Sequence, residues 1–224
     1  MKKFLLLIVF VFASKNLFAE TGNEILDACE KAMGHSRFAE FKTCKIEATL
    51  TQMGMEIGMV IYKKGDNYRM ETSFMGQEQV YVVTKDAFFQ LKPSFQEMPF
   101  DQAEQITGQF SILVPNVADF RKEVQVENIE FVGNEDFNGK SSKKVKLASA
   151  EGETFLFFDA TSNWVLGAKI PAAGMQLFYE SPKRVKGFVY PSVIKLVQMG
   201  QTVEFVINSF EVDIELADSL FSKN

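Results

Sequence analysis

Along much of the chain, large apolar residues recur at every second position. Met55, Ile57, Met59 and Ile61 alternate with Glu56, Gly58, Val60 and Tyr62, and Tyr68, Met70, Thr72 and Phe74 alternate with Arg69, Glu71 and Ser73. A period of two places alternate side chains on opposite faces of a strand, so these segments predict strands with one wet and one apolar face. Ordinary turn residues separate them: Gly54, Gly65-Asp66-Asn67, Gly76 and Lys85-Asp86. The pattern begins at Thr43, is interrupted once, and resumes after Val124 with turns at Asn138-Gly139, Glu151-Gly152, Asp159 to Asn163 and Gly200. About ten short strands at this spacing predict a meandering antiparallel sheet running to Val212. A last apolar turn from Leu216 to Phe221 closes the chain.

Two stretches carry the other period. Ile25, Leu26, Cys29 and Met33 fall on one side of a helix, with Asn23 as its expected N-cap and Gly34 as its stop, and a second helical turn follows through Phe38 and Phe41. Between Met98 and Leu113, Phe100, Ala103, Ile106 and Phe110 recur every three or four residues. Asp101 is placed to cap this segment, Gly108 to interrupt it and Pro115 to stop whatever follows, which predicts one or two short helices inserted between strands.

The sheet presents more apolar surface than these helices can hide. An antiparallel sheet tolerates one solvated face, but the alternate positions Met59, Met70, Phe74, Phe157, Leu177, Phe205 and Ile207 are all large and must be covered. A helix is only about 10 Å across, so two short ones leave room beneath a lid. The expected lining is Ile57, Met59, Met70, Phe74, Phe157, Leu177 and Phe205 on the sheet, with Phe100, Ile106 and Phe110 on the lid. Twenty-three phenylalanines and ten methionines suit either a close-packed core or a soft, adaptable lining.

At the N-terminus, Lys2 and Lys3 precede an apolar run from Phe4 to Ala13, and Ala19 closes the segment. That order is the layout of a Sec signal peptide over residues 1–19, with one β-rich domain expected over residues 20–224. The run is about half the length that spans a bilayer, which implies soluble export without stable membrane insertion. Cys29 has no small-residue lead-in, so no lipid anchor is expected. Cleavage removes Lys2, Lys3 and Lys15 and no acid, taking 24 basic against 29 acidic residues to 21 against 29, a net charge of about −8. Such a charge disfavours nucleic acid as a partner. Cys29 and Cys44 either pair or remain buried thiols, and neither outcome makes a redox site because C-x-x-C is absent.

Catalytic candidates are few. His35, the only histidine, follows the stop of the first helix, where it is expected to complement the helix dipole. One histidine falls short of the usual zinc ligand set, and no H-E-x-x-H, calcium loop, G-x-S-x-G elbow or phosphate-binding glycine loop is present. Glu135 and Asp136 sit in an expected turn as solvated charge. The sequence therefore predicts a non-enzyme with no cofactor and no metal.

The order of features resembles the LolA/LolB-like superfamily, most closely its branch of outer-membrane lipoprotein-sorting proteins. Phe131-Val132-Gly133-Asn134-Glu135-Asp136-Phe137-Asn138-Gly139-Lys140, continuing into Lys143-Lys144-Val145-Lys146-Leu147, is similar to that branch's Gly-x-Glu-x-x-x-Gly hairpin. Phe157-Phe158-Asp159 with Trp164-Val165-Leu166 resembles its next hairpin, Tyr190-Pro191 a late strand entry, and Phe210 to Phe221 its ending. Met53 to Ile57 and Tyr68 to Glu71 also fit. The resemblance implies a mainly β fold with an α lid: an open, strongly curved antiparallel half-barrel whose concave face is closed by an N-terminal helix and short inserted helices. It also implies a periplasmic carrier or receptor for the acyl chains of a lipoprotein or other lipid, exchanging with an inner- or outer-membrane handover protein. One departure stands out. Where the lipoprotein carriers proper have an Arg-Pro pair holding the lid, this chain reads Lys63-Lys64-Gly65-Asp66-Asn67, and a lysine offers a charge without a planar fork of donors. That departure bears on lipoprotein shuttling and leaves lipid binding untouched. Two alternatives use the same fold: an envelope sensor or interaction module that binds a partner protein without transporting lipid, and a structural domain with a filled core.

Overall fold

The structure is a computed structural model that describes residues 20–122, 128–150 and 152–223. The expected signal peptide lies outside the described residues, as do Val124 and Glu151. Six strands come first: β1 (Thr43–Gln52), β2 (Met55–Lys64), β3 (Asn67–Phe74), β4 (Gln77–Val83), β5 (Phe88–Lys92) and β6 (Gln96–Met98). Seven follow the helical insertion: β7 (Ile129–Phe137), β8 (Lys140–Ser149), β9 (Gly152–Asp159), β10 (Val165–Ile170), β11 (Met175–Val185), β12 (Phe188–Gln198) and β13 (Gln201–Val212). They form one 13-stranded antiparallel sheet, not closed into a barrel, in the order β6-β5-β4-β3-β2-β1-β13-β12-β11-β10-β9-β8-β7. The sheet is thus two meanders rather than the single one expected. The chain leaves one edge after β6 and starts again at the other, and β13 closes against β1, with Cys44 opposite Val212.

Four helices lie on the concave face: α1 (Gly22–Met33), α2 (His35–Glu40), α3 (Ala103–Leu113) and α4 (Val117–Lys122). The cap of α1 is Thr21 rather than Asn23. Its hydroxyl accepts from the Glu24 amide while the Glu24 carboxylate accepts from the Thr21 amide at 2.7 Å, a reciprocal capping box. Gly34 ends α1 in the left-handed region (φ 74°), as the sequence predicts. Asp101 falls in a 3₁₀ turn, Phe100–Gln102, and Gln102 occupies the N-cap of α3 without a side-chain cap; Gly108 leaves α3 uninterrupted. α4 is fastened to α1 by Arg121, which donates to the Asn23 carbonyl at 3.1 Å and the Asp27 carboxylate at 2.5 Å.

Ile25, Leu26, Cys29 and Met33 of α1 pack with Ile46, Val145, Leu156, Phe158, Ile194 and Ile207 in the principal core. Cys29 and Cys44 are both free and buried, the Cys29 thiol donating to Met33 Sδ at 3.6 Å. Burial pushes both thiols up to about 12, from an ordinary value near 9. Two results are expected. A thiol reagent at pH 8 leaves both cysteines unmodified until denaturant is added, and stability falls as pH rises from about 9 toward 12, where only the unfolded chain gives up its thiol protons. Rapid labelling of the native protein would contradict the packing.

The convex face is also covered. Its β2–β5 half lies under the C-terminal segment, where Leu216 and Phe221 pack on Val82 and Phe89. Phe137, Phe157 and Leu166 form a separate convex cluster under β7–β10, with Phe137 and Phe157 stacked at 4.1 Å and roofed by Lys144 and Lys169.

Candidate functional site

Between the concave face of β1–β5 and α3 lies a cavity of about 360 Å³. Leu50, Ile57, Met59, Met70, Tyr81 and Phe88 form its floor and walls on the sheet side. Met98, Gln102, Ile106 and Gln109 approach from the insertion. The register explains the convergence. Leu50 pairs with Ile57, Ile61 with Met70, and Met70 with Tyr81, so successive strands deliver same-face side chains in a row across the sheet. Among the described residues no charged side chain lines it. Its polar groups are Thr72, Gln79, Gln102 and Gln109, besides the Tyr81 hydroxyl. About 360 Å³ lies within the roughly 300–1,000 Å³ usual for small-molecule sites.

Of the residues expected to line a pocket, Ile57, Met59, Met70 and Ile106 are on its walls. Leu177 and Phe205 are buried on the concave face but belong to the packed core. Phe110 is buried there too, with ring centroids 6.1 Å from Phe38 and 5.6 Å from Tyr68, and acts as a partition rather than a wall. Phe74 ends β3 half-buried, opposite Gln77, outside the lining. Two placements are corrected. Phe100 sits in the 3₁₀ turn with 54% of its surface exposed. Phe157 points to the convex face, because β9 is apolar on both sides and the concave positions are Leu156 and Phe158. Tyr81 and Phe88 were missed for the same reason: Val80-Tyr81-Val82-Val83 and Phe88-Phe89 carry no alternation to reveal a face. Leu50 continues the unbroken alternation Cys44, Ile46, Ala48 of β1, a signal the sequence does carry; the extra residue at the register shift between β1 and β13 is Asn208 of β13.

A second, smaller hollow of about 200 Å³ lies at the other end, where Met33, Trp164, Leu166, Tyr179 and Tyr190 meet beneath charged neighbours Lys140, Asp159 and Glu180. The Tyr179 hydroxyl is pushed above its ordinary range by burial. His35 is buried at the start of α2, its ring 6.0 Å from that of Phe188. No group of three or more histidine, cysteine, aspartate or glutamate side chains among the described residues could hold a metal ion, and no helix among them is long and apolar enough to cross a membrane.

No protein-family model matches the sequence, and no curated protein matches it. Solved structures do match in shape. A LolA superfamily protein from Nitrosomonas europaea superposes with a TM-score of 0.57 at 12% identity, over 91% of this chain and 98% of that one. A domain designated an outer-membrane lipoprotein-sorting protein, from Vibrio parahaemolyticus, gives 0.54 at 12% identity, over 90% and 97%. The fold is LolA-like. A DUF1329 family protein from Desulfovibrio piger shares it as well, with a TM-score of 0.53 at 11% identity over 88% and 97%. At such identities the likeness fixes the architecture and leaves the ligand to this chain's own chemistry. Within the LolA-like frame, Lys64 does not reach the lid. It lies on the convex side and donates to the Leu216 carbonyl at 2.7 Å and the Asp218 carboxylate at 2.6 Å. Arg69 donates to the Leu220 carbonyl at 2.9 Å, so both cations hold the C-terminal segment.

Proposed function

We propose that the protein is an exported carrier or receptor for an acylated molecule, holding an acyl chain in the cavity beneath α3 and working in the periplasm as a non-enzyme. The observation that carries this reading is the cavity's uncharged, methionine-bearing lining between the sheet and a short helix. A free fatty acid would bring a carboxylate into a wall that has no cation to meet it, at a substantial desolvation cost. An ester- or amide-linked acyl chain brings only neutral carbonyls, which Gln79, Gln102 and Gln109 can serve as donors. Moving a C16 chain out of water yields on the order of 12 kcal/mol at about 0.8 kcal/mol per methylene. A bilayer yields nearly the same, so exchange with membranes is close to balanced and depends on α3 moving. That helix is anchored by Phe110 and Leu113, which are buried in the principal core, whereas its N-terminus lacks a side-chain cap and Ile106 and Gln109 border the cavity, so motion is expected to start at the N-terminal end.

The test is lipid extraction. Protein purified from cells, analysed by mass spectrometry, is expected to carry acylated lipid in near-stoichiometric amount, and the emptied protein to bind a fluorescent acyl ester that this lipid displaces. Repeated recovery of no lipid, together with no binding of the ester, defeats the reading.

A further inference from the structure

Five of the seven large apolar side chains that stand exposed among the described residues are at one end of the sheet: Met53, Met55, Met75, Phe95 and Met199. Met53, Met75 and Met199 are the most exposed, at 77, 85 and 88%. Each is the first residue of a two-residue hairpin turn and is followed by glycine: Met53-Gly54 joins β1 to β2, Met75-Gly76 joins β3 to β4, and Met199-Gly200 joins β12 to β13. Both residues of each turn have positive φ, with the methionines at 52°, 49° and 50°. That is the type I′ turn, whose first position favours asparagine, aspartate or glycine and imposes strain on other side chains. The chain uses the favoured pair Asn138-Gly139 for the same turn at the opposite end. Three adjacent hairpins therefore carry a residue that turn chemistry disfavours and water does not reward.

Charge separates the two ends just as sharply. Residues 51–58, 72–79 and 197–203 contain no lysine or arginine, and their only acids are Glu56 and Glu78, the latter paired with Lys92. The opposite turns carry Lys64, Asp66, Lys85, Asp86, Arg184, Lys186 and Asp213. The cavity sits just inside the methionine end, since Leu50 and Ile57 form the last apolar pair before Met53 and Thr72 pairs with Gln79 before Met75.

We infer that this rim docks the protein on an uncharged lipid surface, with Met53, Met75 and Met199 inserted among the acyl chains and the cavity facing the bilayer. Geometry favours a bilayer over a folded partner. Ser73 is level with Gly58 and Gln52 with Val203, so the three tips form a staircase along the rim rather than a flat patch. A tilted sheet brings such a staircase onto a plane. A fluid interface accepts separate flexible thioethers without pockets shaped to receive them. The three methionine hairpins carry no cation, and the lysines beside them, Lys92 and Lys223, are each paired with a glutamate, which favours a neutral or zwitterionic surface over an anionic one. The purpose of docking rests on the acyl-carrier reading; the docking itself does not.

The decisive variant is Met53→Asn with Met75→Asn and Met199→Asn. Asparagine-glycine is the preferred type I′ pair, so this protein should fold at least as stably as the parent while losing its apolar tips. Flotation with phosphatidylcholine vesicles should recover the parent, and the triple variant should partition at least about thirtyfold more weakly, allowing about threefold for each partly inserted side chain. Equal partitioning of both proteins, or binding of the parent only to phosphatidylglycerol vesicles, overturns the inference. So does a dimer of the parent in sedimentation that the triple variant abolishes, which would assign the rim to a second copy. Lipid recovered from a parent that binds no vesicles would sink the docking alone and leave the carrier reading standing.

Discussion

Filling the cavity from both walls, with Ile57→Trp on β2 and Ile106→Trp on α3, is expected to reduce the acylated lipid recovered with the protein at least tenfold. Both side chains line the cavity and both are only half-buried, so each indole has space to enter without displacing packed core. The two sites approach from opposite sides, one from the sheet and one from the helix, and together occupy volume that a chain would need within about 360 Å³. A tenfold loss corresponds to about 1.4 kcal/mol, a small part of what an acyl chain gains by leaving water. Overpacking at half-open positions should cost about 1–2 kcal/mol of stability, which leaves the protein folded. Phe157→Leu is the matched control. It trims a large apolar residue of the same sheet, but on the convex face against Phe137, and should leave lipid recovery unchanged while lowering stability. Undiminished lipid in the doubly filled variant would place the acyl site elsewhere, with the hollow beside Trp164 the next to test.

The second large effect concerns the frame. Gly167→Ala in β10 is expected to destabilise the protein by about 3 kcal/mol, the upper part of the range for overpacking. A Cβ at Gly167 would lie 2.1 Å from the Leu177 carbonyl oxygen and 2.7 Å from the Phe137 ring. The first obstacle is backbone of the paired strand, so relief requires β11 to move away from β10. The second is a ring stacked on Phe157 and Phe178, which has no free direction to yield. For a chain of this size the loss should appear as a drop of roughly 6–12 °C in Tm. Gly58→Ala provides the contrast: its Cβ would meet only the Ser73 carbonyl oxygen at 3.9 Å, and its Tm should change little. Similar thermal shifts in both variants would mean that Phe137 does not seal the β10 surface as described.

The hairpins and the helical insertion were legible because each is written locally. Glycines at turns, and side chains recurring at two or at three and four positions, are properties of neighbouring residues. Gly34 ending α1 and Pro115 following α3 are of this kind. So is the alternation of Ile57, Met59 and Ile61, which placed two cavity residues on the correct face. Even the methionines at the hairpin tips were visible as Met-Gly pairs, although their meeting at one rim was not.

What the tertiary structure alone decided is which apolar face looks inward. A period of two distinguishes faces only where one of them is polar, and here the convex face carries its own apolar clusters, one beneath the C-terminal segment and one beneath lysine side chains. Where both faces of a strand are covered, as in β4 and β9, alternation disappears, and Phe157 and Leu156 become interchangeable to any local rule. The pairing of β1 with β13 is likewise invisible locally, since those strands are joined by more than 140 residues and meet only because two separate meanders must satisfy their edges against each other. The sequence by itself set the strands and the stock of apolar side chains. The closure of one meander on the other, and the length of helix available to cover them, determined where the cavity was left.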